Sequence, residues 1–105
     1  MREIAWATGI FEGEGWITKK RSKKATFELC VQMSDLDVIR RLQQTFQVGS
    51  VYKGTTPKNP NHKQLYRWSV CNKKGISYVL NLMLPLLGER RAYTALNTLD
   101  TIELR

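Results

Sequence analysis

Residues 7–15 read A-T-G-I-F-E-G-E-G and place two glycines, Gly9 and Gly13, inside a stretch that otherwise has the periodicity of a helix. Each glycine in a helix interior costs about 0.8–1.0 kcal/mol relative to alanine. Glycines four positions apart lie on one side of a helix, where they let a second backbone approach closely. The stretch therefore predicts a helix that packs against something beyond its own core.

A helix over 2–13 has apolar or small residues on two opposite sides when its positions are drawn at ~100° per residue. One side consists of Ile4, Ala7 and Phe11. The opposite side consists of Ala5, Trp6, Gly9 and Gly13. A helix with this pattern is buried on both sides. We expect Gly15 to end it in the left-handed conformation.

The rest of the chain alternates between strand and helix patterns. Strands are predicted at 16–22, 26–32, 50–54 and 65–71, and further helices start at Ser34, Asn72 and Glu89. In the last helix the predicted inward residues are Ala92, Leu96, Leu99 and Ile102. Two hairpins that each precede a helix predict an α+β fold of order αββαββα(α), with one antiparallel sheet and its helices on one face. Residues 1–105 are expected to form a single domain.

The composition is basic, with 17 Lys and Arg against 9 Asp and Glu and a net charge of +8. This imbalance favours a polyanionic partner, nucleic acid first and an anionic membrane surface second, over a merely soluble basic protein. The chain has no run of ~20 apolar residues, and its first residues lead us to expect no secretion signal. We therefore expect no membrane association, and a location in the cytoplasm or wherever the host DNA lies, including an organelle or nucleoid.

Basic residues concentrate on the predicted strands and their turns, around 19–24, 53–67 and 73–74. The second strand alternates an apolar set with the polar set Thr26, Glu28, Cys30 and Gln32. A polar sheet face with basic turns is typical of β-structure that reads the DNA major groove. The alternative is an ordinary solvated, charged face.

Glu12 and Glu14 lie ~200° apart on a helix, so only the residue at the helix end can project beyond it. That residue is Glu14. Mg²⁺ prefers carboxylate, water and phosphate oxygens, and an ion held there could support phosphodiester hydrolysis. The alternative is an exposed glutamate at a helix end with no chemical role. One histidine and two cysteines without C-x-x-C spacing argue against a zinc site.

The stretch A-T-G-I-F-E-G-E-G resembles the LAGLIDADG motif of homing endonucleases, with Ala7 in place of leucine and Thr8 in place of alanine. Later segments resemble the remaining elements of a single-motif member: V-Q-M-S-D-L-D-V-I-R-R-L, Q-V-G-S-V, Y-R-W-S-V and L-P-L-L-G-E-R-R. The resemblance covers nearly the whole chain. It implies an αββαββα core whose saddle-shaped sheet lies over DNA.

The resemblance also implies a homodimer in which the two motif helices pack together through Trp6, Gly9 and Gly13. Glu14 then corresponds to the acid that binds Mg²⁺ or another divalent cation such as Mn²⁺, whereas Glu12 is structural.

Two further roles follow from the resemblance. Arg90 corresponds to a basic residue that assists the active centre. A polar residue, commonly glutamine, is expected near the metal-bound water at the end of the second strand. Met33 stands at that position, and the neighbouring Gln32 is the candidate for this catalytic role. Strand parity and the resemblance together give as DNA-binding residues Thr18, Lys20, Ser22, Lys23, Lys24, Thr26, Glu28, Cys30, Gln32, Tyr52, Lys53, Arg67, Ser69 and Lys73.

The expected function is a site-specific double-strand DNA endonuclease of an intron or other mobile element. It would act as a homodimer, without an organic cofactor, by metal-dependent hydrolysis at a long pseudo-palindromic site. One alternative is a non-cleaving nucleic-acid-binding protein of the same fold, such as an intron maturase or a DNA-binding regulator. Another is a basic α+β dimer in which E-G-E-G is only a helix stop.

Overall fold

The computed structural model describes residues 2–20 and 26–103. Within these ranges, helices and strands follow one another in the predicted order. They are α1 (Arg2–Glu14), β1 (Gly15–Lys20), β2 (Thr26–Met33), α2 (Leu36–Phe46), β3 (Ser50–Lys53), β4 (Tyr66–Val70), α3 (Lys73–Met83) and α4 (Glu89–Glu103), with a short 3-10 helix at Leu84–Leu86. The predicted α+β fold is confirmed.

The strands form one antiparallel sheet in the order β1-β2-β4-β3, so β2 and β4 are interior and β1 and β3 are edges. Residues directly opposite one another point to the same face of a sheet. Leu29 lies opposite Val70, and Val31 lies opposite Trp68. All four are buried, so they mark the face that packs on the helices.

The core joins that face of the sheet to α1, α2 and α3. Its largest fully buried side chains are Phe11, Leu29, Val31, Ile39, Leu42, Phe46, Trp68, Val70, Ile76, Val79, Leu80 and Met83. The ring of Phe46 stacks on Trp68 with their centroids 5.5 Å apart. The Trp68 Nε1–H donates to the Val48 carbonyl oxygen at 3.0 Å, which satisfies the polar atom of a buried indole.

Side-chain caps start α2 and α3. The Asp35 carboxylate accepts hydrogen bonds from two backbone N–H groups of the first turn of α2, at 3.1 and 3.4 Å. This helix therefore starts one residue later than the prediction from Ser34. The Asn72 side chain accepts from the Gly75 N–H at 2.6 Å, which confirms Asn72 as the cap of α3.

Gly15 is the first residue of β1 and not a left-handed helix stop. Among the described residues, positive φ angles occur at Gln47 and Gly49. The predicted left-handed conformation of Gly15 was therefore wrong. A Cβ atom at position 15 would overlap the Phe11 ring and lie 2.8 Å from the Phe11 carbonyl oxygen. Glycine is required there because Phe11 packs directly against the backbone.

The inward face of α4 also differs from the prediction. Leu96 is 47% exposed, whereas Ala95 is fully buried. Leu99 is buried as predicted, and Ala92 and Ile102 are half-buried. The helix is rotated enough to place Ala95, in place of Leu96, against the core.

Within residues 2–20 and 26–103, each helix is too short or too polar to cross a membrane.

Candidate nucleic-acid interface and acidic centre

Strand register arranges the polar face of the sheet in rows. One row consists of Trp16, Cys30, Ser69 and Ser50, and the next consists of Gln32, Arg67 and Tyr52. Thr18 lies opposite Glu28, and Lys20 lies opposite Thr26 at the end of the β1–β2 pair. The register thus places Thr18, Glu28, Cys30, Gln32, Tyr52, Arg67 and Ser69 of the predicted DNA-binding set on one face. Lys53, which lies opposite Tyr66, belongs to the other face.

The margin of this face is open to solvent. Thr18 on β1 and Tyr52 on β3 are exposed, as is Lys73 at the start of α3. Lys53 is also exposed, at the end of edge strand β3, but its register position is on the other face. Three further residues of the predicted set, Ser22, Lys23 and Lys24, lie outside the described residues. The exposed set combines hydroxyl groups and lysines, which are side chains that commonly contact DNA phosphates.

The centre of the same face is closed. Cys30, Ser69 and Glu28 are 0%, 3% and 9% exposed. The Glu28 carboxylate accepts from the Ser69 hydroxyl at 2.8 Å and from the Cys71 thiol at 3.3 Å. We predicted direct DNA contacts for Glu28, Cys30 and Ser69, and their burial corrects that prediction. Glu28, Cys30 and Ser69 form a buried polar cluster beneath the surface of this face, which we call the support.

The Cys30 thiol lies within this support and contacts the Ser69 hydroxyl at 3.9 Å. Burial, reinforced by the nearby Glu28 carboxylate, raises the pKa of Cys30 to about 12. The thiol therefore stays protonated at neutral pH, which excludes it as a nucleophile because the thiolate is the reactive form.

Trp16 and Arg67 cover the support. Trp16 belongs to β1 and Arg67 to β4, so their contact crosses over β2, with the guanidinium carbon 5.3 Å from the ring centroid. The Gln32 side-chain oxygen accepts from Arg67 Nε at 3.1 Å. The same amide fills the space that a Cβ on Gly54 would occupy. Gln32 is therefore directed toward β4 and β3, away from β1 and from Glu14.

Glu14 is the last residue of α1 and is exposed at the junction with the sheet. Among the described residues, its carboxylate has no hydrogen-bond or ion-pair partner. A cleft beside this junction is lined by Gly15, Trp16 and Arg90. Arg90 is exposed at the start of α4. Arg90 thus lines a cleft that begins at Gly15, one residue after Glu14, whereas Glu14 itself is not among the lining residues.

The neighbouring arginine, Arg91, holds this junction together, a role that we did not predict from the sequence. Its Nη1 donates to the Gly15 carbonyl oxygen at 2.7 Å, and its Nε lies 3.6 Å from Glu12 Oε2. The other oxygen of Glu12 accepts from the Gly88 N–H at 2.6 Å. Because Gly88 precedes α4, the Glu12 carboxylate also faces the positive end of that helix dipole. Glu12 therefore joins the end of α1 to the start of α4.

The outward side of α1 is built on small residues. Ala5, Gly9 and Gly13 are exposed, and a Cβ added at either glycine would have no neighbour within 4 Å in the described chain. Trp6 is half-buried under Arg41 of α2, whose guanidinium carbon lies 3.9 Å from the ring centroid. The glycines are therefore not required by packing within the subunit.

The Arg41 guanidinium group is also held by Glu3, with Nη2 and Nε donating to the two carboxylate oxygens at 2.7 and 3.0 Å. This hydrogen bonding lowers the pKa of Glu3 and raises that of Arg41. The pair fixes Arg41 over Trp6 at the margin of the outward side of α1.

Residues 3–82 match the family model described as a LAGLIDADG-like domain. The chain belongs to the LAGLIDADG family. The A-T-G-I-F-E-G-E-G stretch, with its small-residue side and its terminal Glu14, is the LAGLIDADG motif of this chain.

Solved LAGLIDADG structures share the fold. The homing endonuclease I-CvuI, in complex with its target in the presence of Ca, matches 97% of this chain and 66% of its own with a TM-score of 0.74 and 18% identity. The group I intron-encoded homing endonuclease I-CeuI, complexed with DNA, matches 98% of this chain and 55% of its own with a TM-score of 0.75 and 14% identity. The chain thus spans two thirds or less of the length of these two proteins.

A third structure, the homing endonuclease I-TnaI, covers 94% of this chain and 70% of its own, with a TM-score of 0.70 and 18% identity. At these identities the likeness establishes the LAGLIDADG fold of the chain.

A LAGLIDADG motif that ends in one carboxylate fits the chemistry of Mg²⁺. The described residues contain no cluster of three or more His, Cys, Asp or Glu side chains suited to a metal ion. Mg²⁺ is commonly bound by only one or two carboxylates, with water and substrate phosphates completing its coordination. Exposed Glu14 is a donor of the right type for such a shared site.

Proposed function

We propose that this chain is the subunit of a homodimeric, Mg²⁺-dependent, site-specific double-strand DNA endonuclease. One observation carries the proposal. The exposed Glu14 carboxylate ends the same helix that presents Gly9 and Gly13 as an open, side-chain-free surface. Helix α1 would therefore carry both the contact surface for a second subunit and a ligand for a metal ion.

The open glycine side suits a second copy of α1. Glycines at four-residue spacing allow two helix backbones to approach closely, and a two-fold interface uses the same patch on both subunits. Two α1 helices that meet in this way bring their two Glu14 carboxylates to one side of the dimer. The two polar sheet faces then form one continuous surface, which suits a long DNA site with inverted symmetry.

Glu14 would hold Mg²⁺, or Mn²⁺ in its place, together with the Glu14 of a second copy and the DNA phosphates. A bound divalent ion would supply Lewis-acid stabilisation of the charge that develops during phosphodiester hydrolysis. Arg90 lines the cleft beside Gly15, the residue after Glu14, and would neutralise a phosphate oxygen. Arg91 and Glu12 would keep Glu14 in place by fixing the carbonyl of the next residue.

DNA as the partner is supported by the net charge of +8 and by the exposed basic margin of the sheet. The solved structures of I-CvuI in complex with its target and of I-CeuI complexed with DNA share the fold. We therefore assign phosphate contacts to Lys53 and Lys73 and groove contacts to Thr18, Tyr52 and Arg67. The protein would act wherever its target DNA is kept.

The test replaces one oxygen of a single carboxylate. Glu14→Gln removes the charge with little change of shape, and we expect cleavage of a selected DNA site in Mg²⁺ to fall at least a hundredfold while binding of the site persists. Asp100→Asn is the matched control, because Asp100 is an exposed acid on α4. Cleavage by the Glu14→Gln variant at the wild-type rate would refute the assignment of Glu14 as a metal ligand.

A second function is supported by Met33. The resemblance expects a polar side chain at this place, but Met33 is half-buried and packs against the core. The neighbouring Gln32 is bound to Arg67. A non-cleaving nucleic-acid-binding protein of the same fold, either a maturase or a DNA-binding regulator, is therefore the alternative. Sequence-specific binding by the wild type, with no cleavage in Mg²⁺ or Mn²⁺, would favour it.

A further inference from the structure

We propose that Arg67 reads a guanine, and that Gln32 and Trp16 act as positioning residues that aim its guanidinium group. The inference deepens the proposed function and rests on it, because it assigns one base of the DNA target. It also gives Gln32 a role other than the catalytic one suggested by the resemblance.

The position of Arg67 in the sheet favours a base over a phosphate. With strands ~4.8 Å apart, a four-stranded sheet is about 14 Å across, close to the ~12 Å width of the major groove. The edge strands β1 and β3 then lie near the phosphate backbones, whereas β2 and β4 lie over the base pairs. Arg67 belongs to interior strand β4 and has Gln32 and Tyr52 on either side of it.

The contacts of Arg67 leave one end of its guanidinium group available. Nε is occupied by the Gln32 side-chain oxygen at 3.1 Å. The Trp16 ring lies 5.3 Å from the guanidinium carbon and limits its movement toward β1. Within the described residues, the two terminal nitrogens have no hydrogen-bond partner. They present two parallel donors, the pattern that matches O6 and N7 of guanine.

The support under Arg67 restricts it further. Cys30 and Ser69, which flank its row, are buried, and Gln32 is itself packed against Gly54. An arginine that is held before binding loses less side-chain entropy when it binds than a mobile one. Lysine at position 67 would keep the charge but lose the paired donors.

The experiment measures base preference without relying on cleavage. Wild type and variants select duplexes from a randomised DNA library in Ca²⁺, and sequencing of the bound fraction gives the preference at each position. For the wild type we expect a guanine preference at one position in each half of the site. Arg67→Lys should reduce that preference about tenfold or more, and Gln32→Leu should reduce it severalfold.

In both variants the base preference at the other positions and the affinity for scrambled duplex should stay within about threefold of wild type. The reason is that Arg67→Lys keeps the positive charge and Gln32→Leu does not alter it. Lys53→Gln, at the sheet edge, is the control: its loss of charge should weaken all sequences alike without changing base preference. Thermal melts of each variant establish that it is folded.

The outcomes separate the two claims. A defined wild-type site whose preferences are unchanged in Arg67→Lys, or weakened evenly at all positions, overturns the role of Arg67 and leaves the proposed function standing. A wild type that binds DNA with no sequence preference overturns both.

Discussion

The glycines of the LAGLIDADG motif fall into two classes that alanine substitution should separate. A Cβ at Gly9 or Gly13 would have no neighbour within 4 Å, whereas a Cβ at Gly15 would overlap Phe11. If Gly9 and Gly13 serve only contact with a second copy, replacing them should stabilise the isolated subunit. If they serve the subunit itself, replacing them should destabilise it.

The magnitudes follow from these surroundings. Gly9→Ala and Gly13→Ala each recover the helix propensity lost to glycine, about 0.8–1.0 kcal/mol in the free energy of unfolding. Gly15→Ala should cost about 1–3 kcal/mol or more, since overpacking costs that much when the neighbour can move and here one neighbour is a backbone oxygen 2.8 Å away. At a two-fold interface each substitution adds two methyl groups, so Gly9→Ala and Gly13→Ala should weaken dimerisation at least tenfold.

The assay combines urea unfolding over a series of protein concentrations with sedimentation velocity on the same samples, because dimerisation makes apparent stability depend on concentration. At low concentration Gly9→Ala and Gly13→Ala should unfold at higher urea than wild type. At high concentration they should sediment as monomers where the wild type is a dimer. Alanine variants of Gly9 and Gly13 that dimerise as well as wild type would refute the reasoning, and so would a loss of stability in the isolated subunit.

Three further predictions concern the junction, the thiols and the charged face. Arg91→Met should lower the free energy of unfolding by about 1.5–3 kcal/mol, the range for a charged hydrogen bond. Urea unfolding measures this change, and Arg91→Lys should lower the free energy of unfolding by less. Because its pKa is raised to about 12, the Cys30 thiol should stay unreactive as pH rises until that range is approached. Mass spectrometry after iodoacetamide treatment at about pH 8 should therefore find only Cys71 modified in the folded chain, and Cys30 too once it is unfolded; native alkylation of Cys30 would contradict its burial. Affinity for duplex DNA should fall steeply with salt concentration. Lys53→Gln should reduce the slope of log K against log salt by about 0.9, as for one phosphate contact. An unchanged slope would show that Lys53 does not contact the DNA.

The fold could be predicted because its signals are local. The alternation of Phe27, Leu29 and Val31 marks the core face of β2, and the two-sided pattern of α1 separates Phe11 from Gly9. Asn72 predicts a helix start on its own. Each of these depends on residues a few positions apart, where periodicity and capping act directly.

The missed features depend on contacts between distant parts of the chain. Arg91 meets the Gly15 carbonyl across 76 positions. In the sequence only one feature hints at such a contact: Arg90 and Arg91 stand at a helix start, where the helix dipole disfavours cations. The burial of Cys30 follows from Trp16 and Arg67 meeting over β2, which requires the strand order β1-β2-β4-β3. Alternation correctly placed Cys30 on the polar face but could not show that other side chains cover it.

The symmetry of the cleaved DNA tests the central claim most directly. Wild-type protein is incubated in Mg²⁺ with a random or genomic DNA library, and the cleaved molecules are sequenced. Two copies related by a two-fold axis through α1 predict one defined site whose halves are inverted copies of each other, cut in both strands near its centre. A defined site with no inverted symmetry would contradict assembly through α1, and equal cleavage by Glu14→Gln would contradict the role of the carboxylate pair.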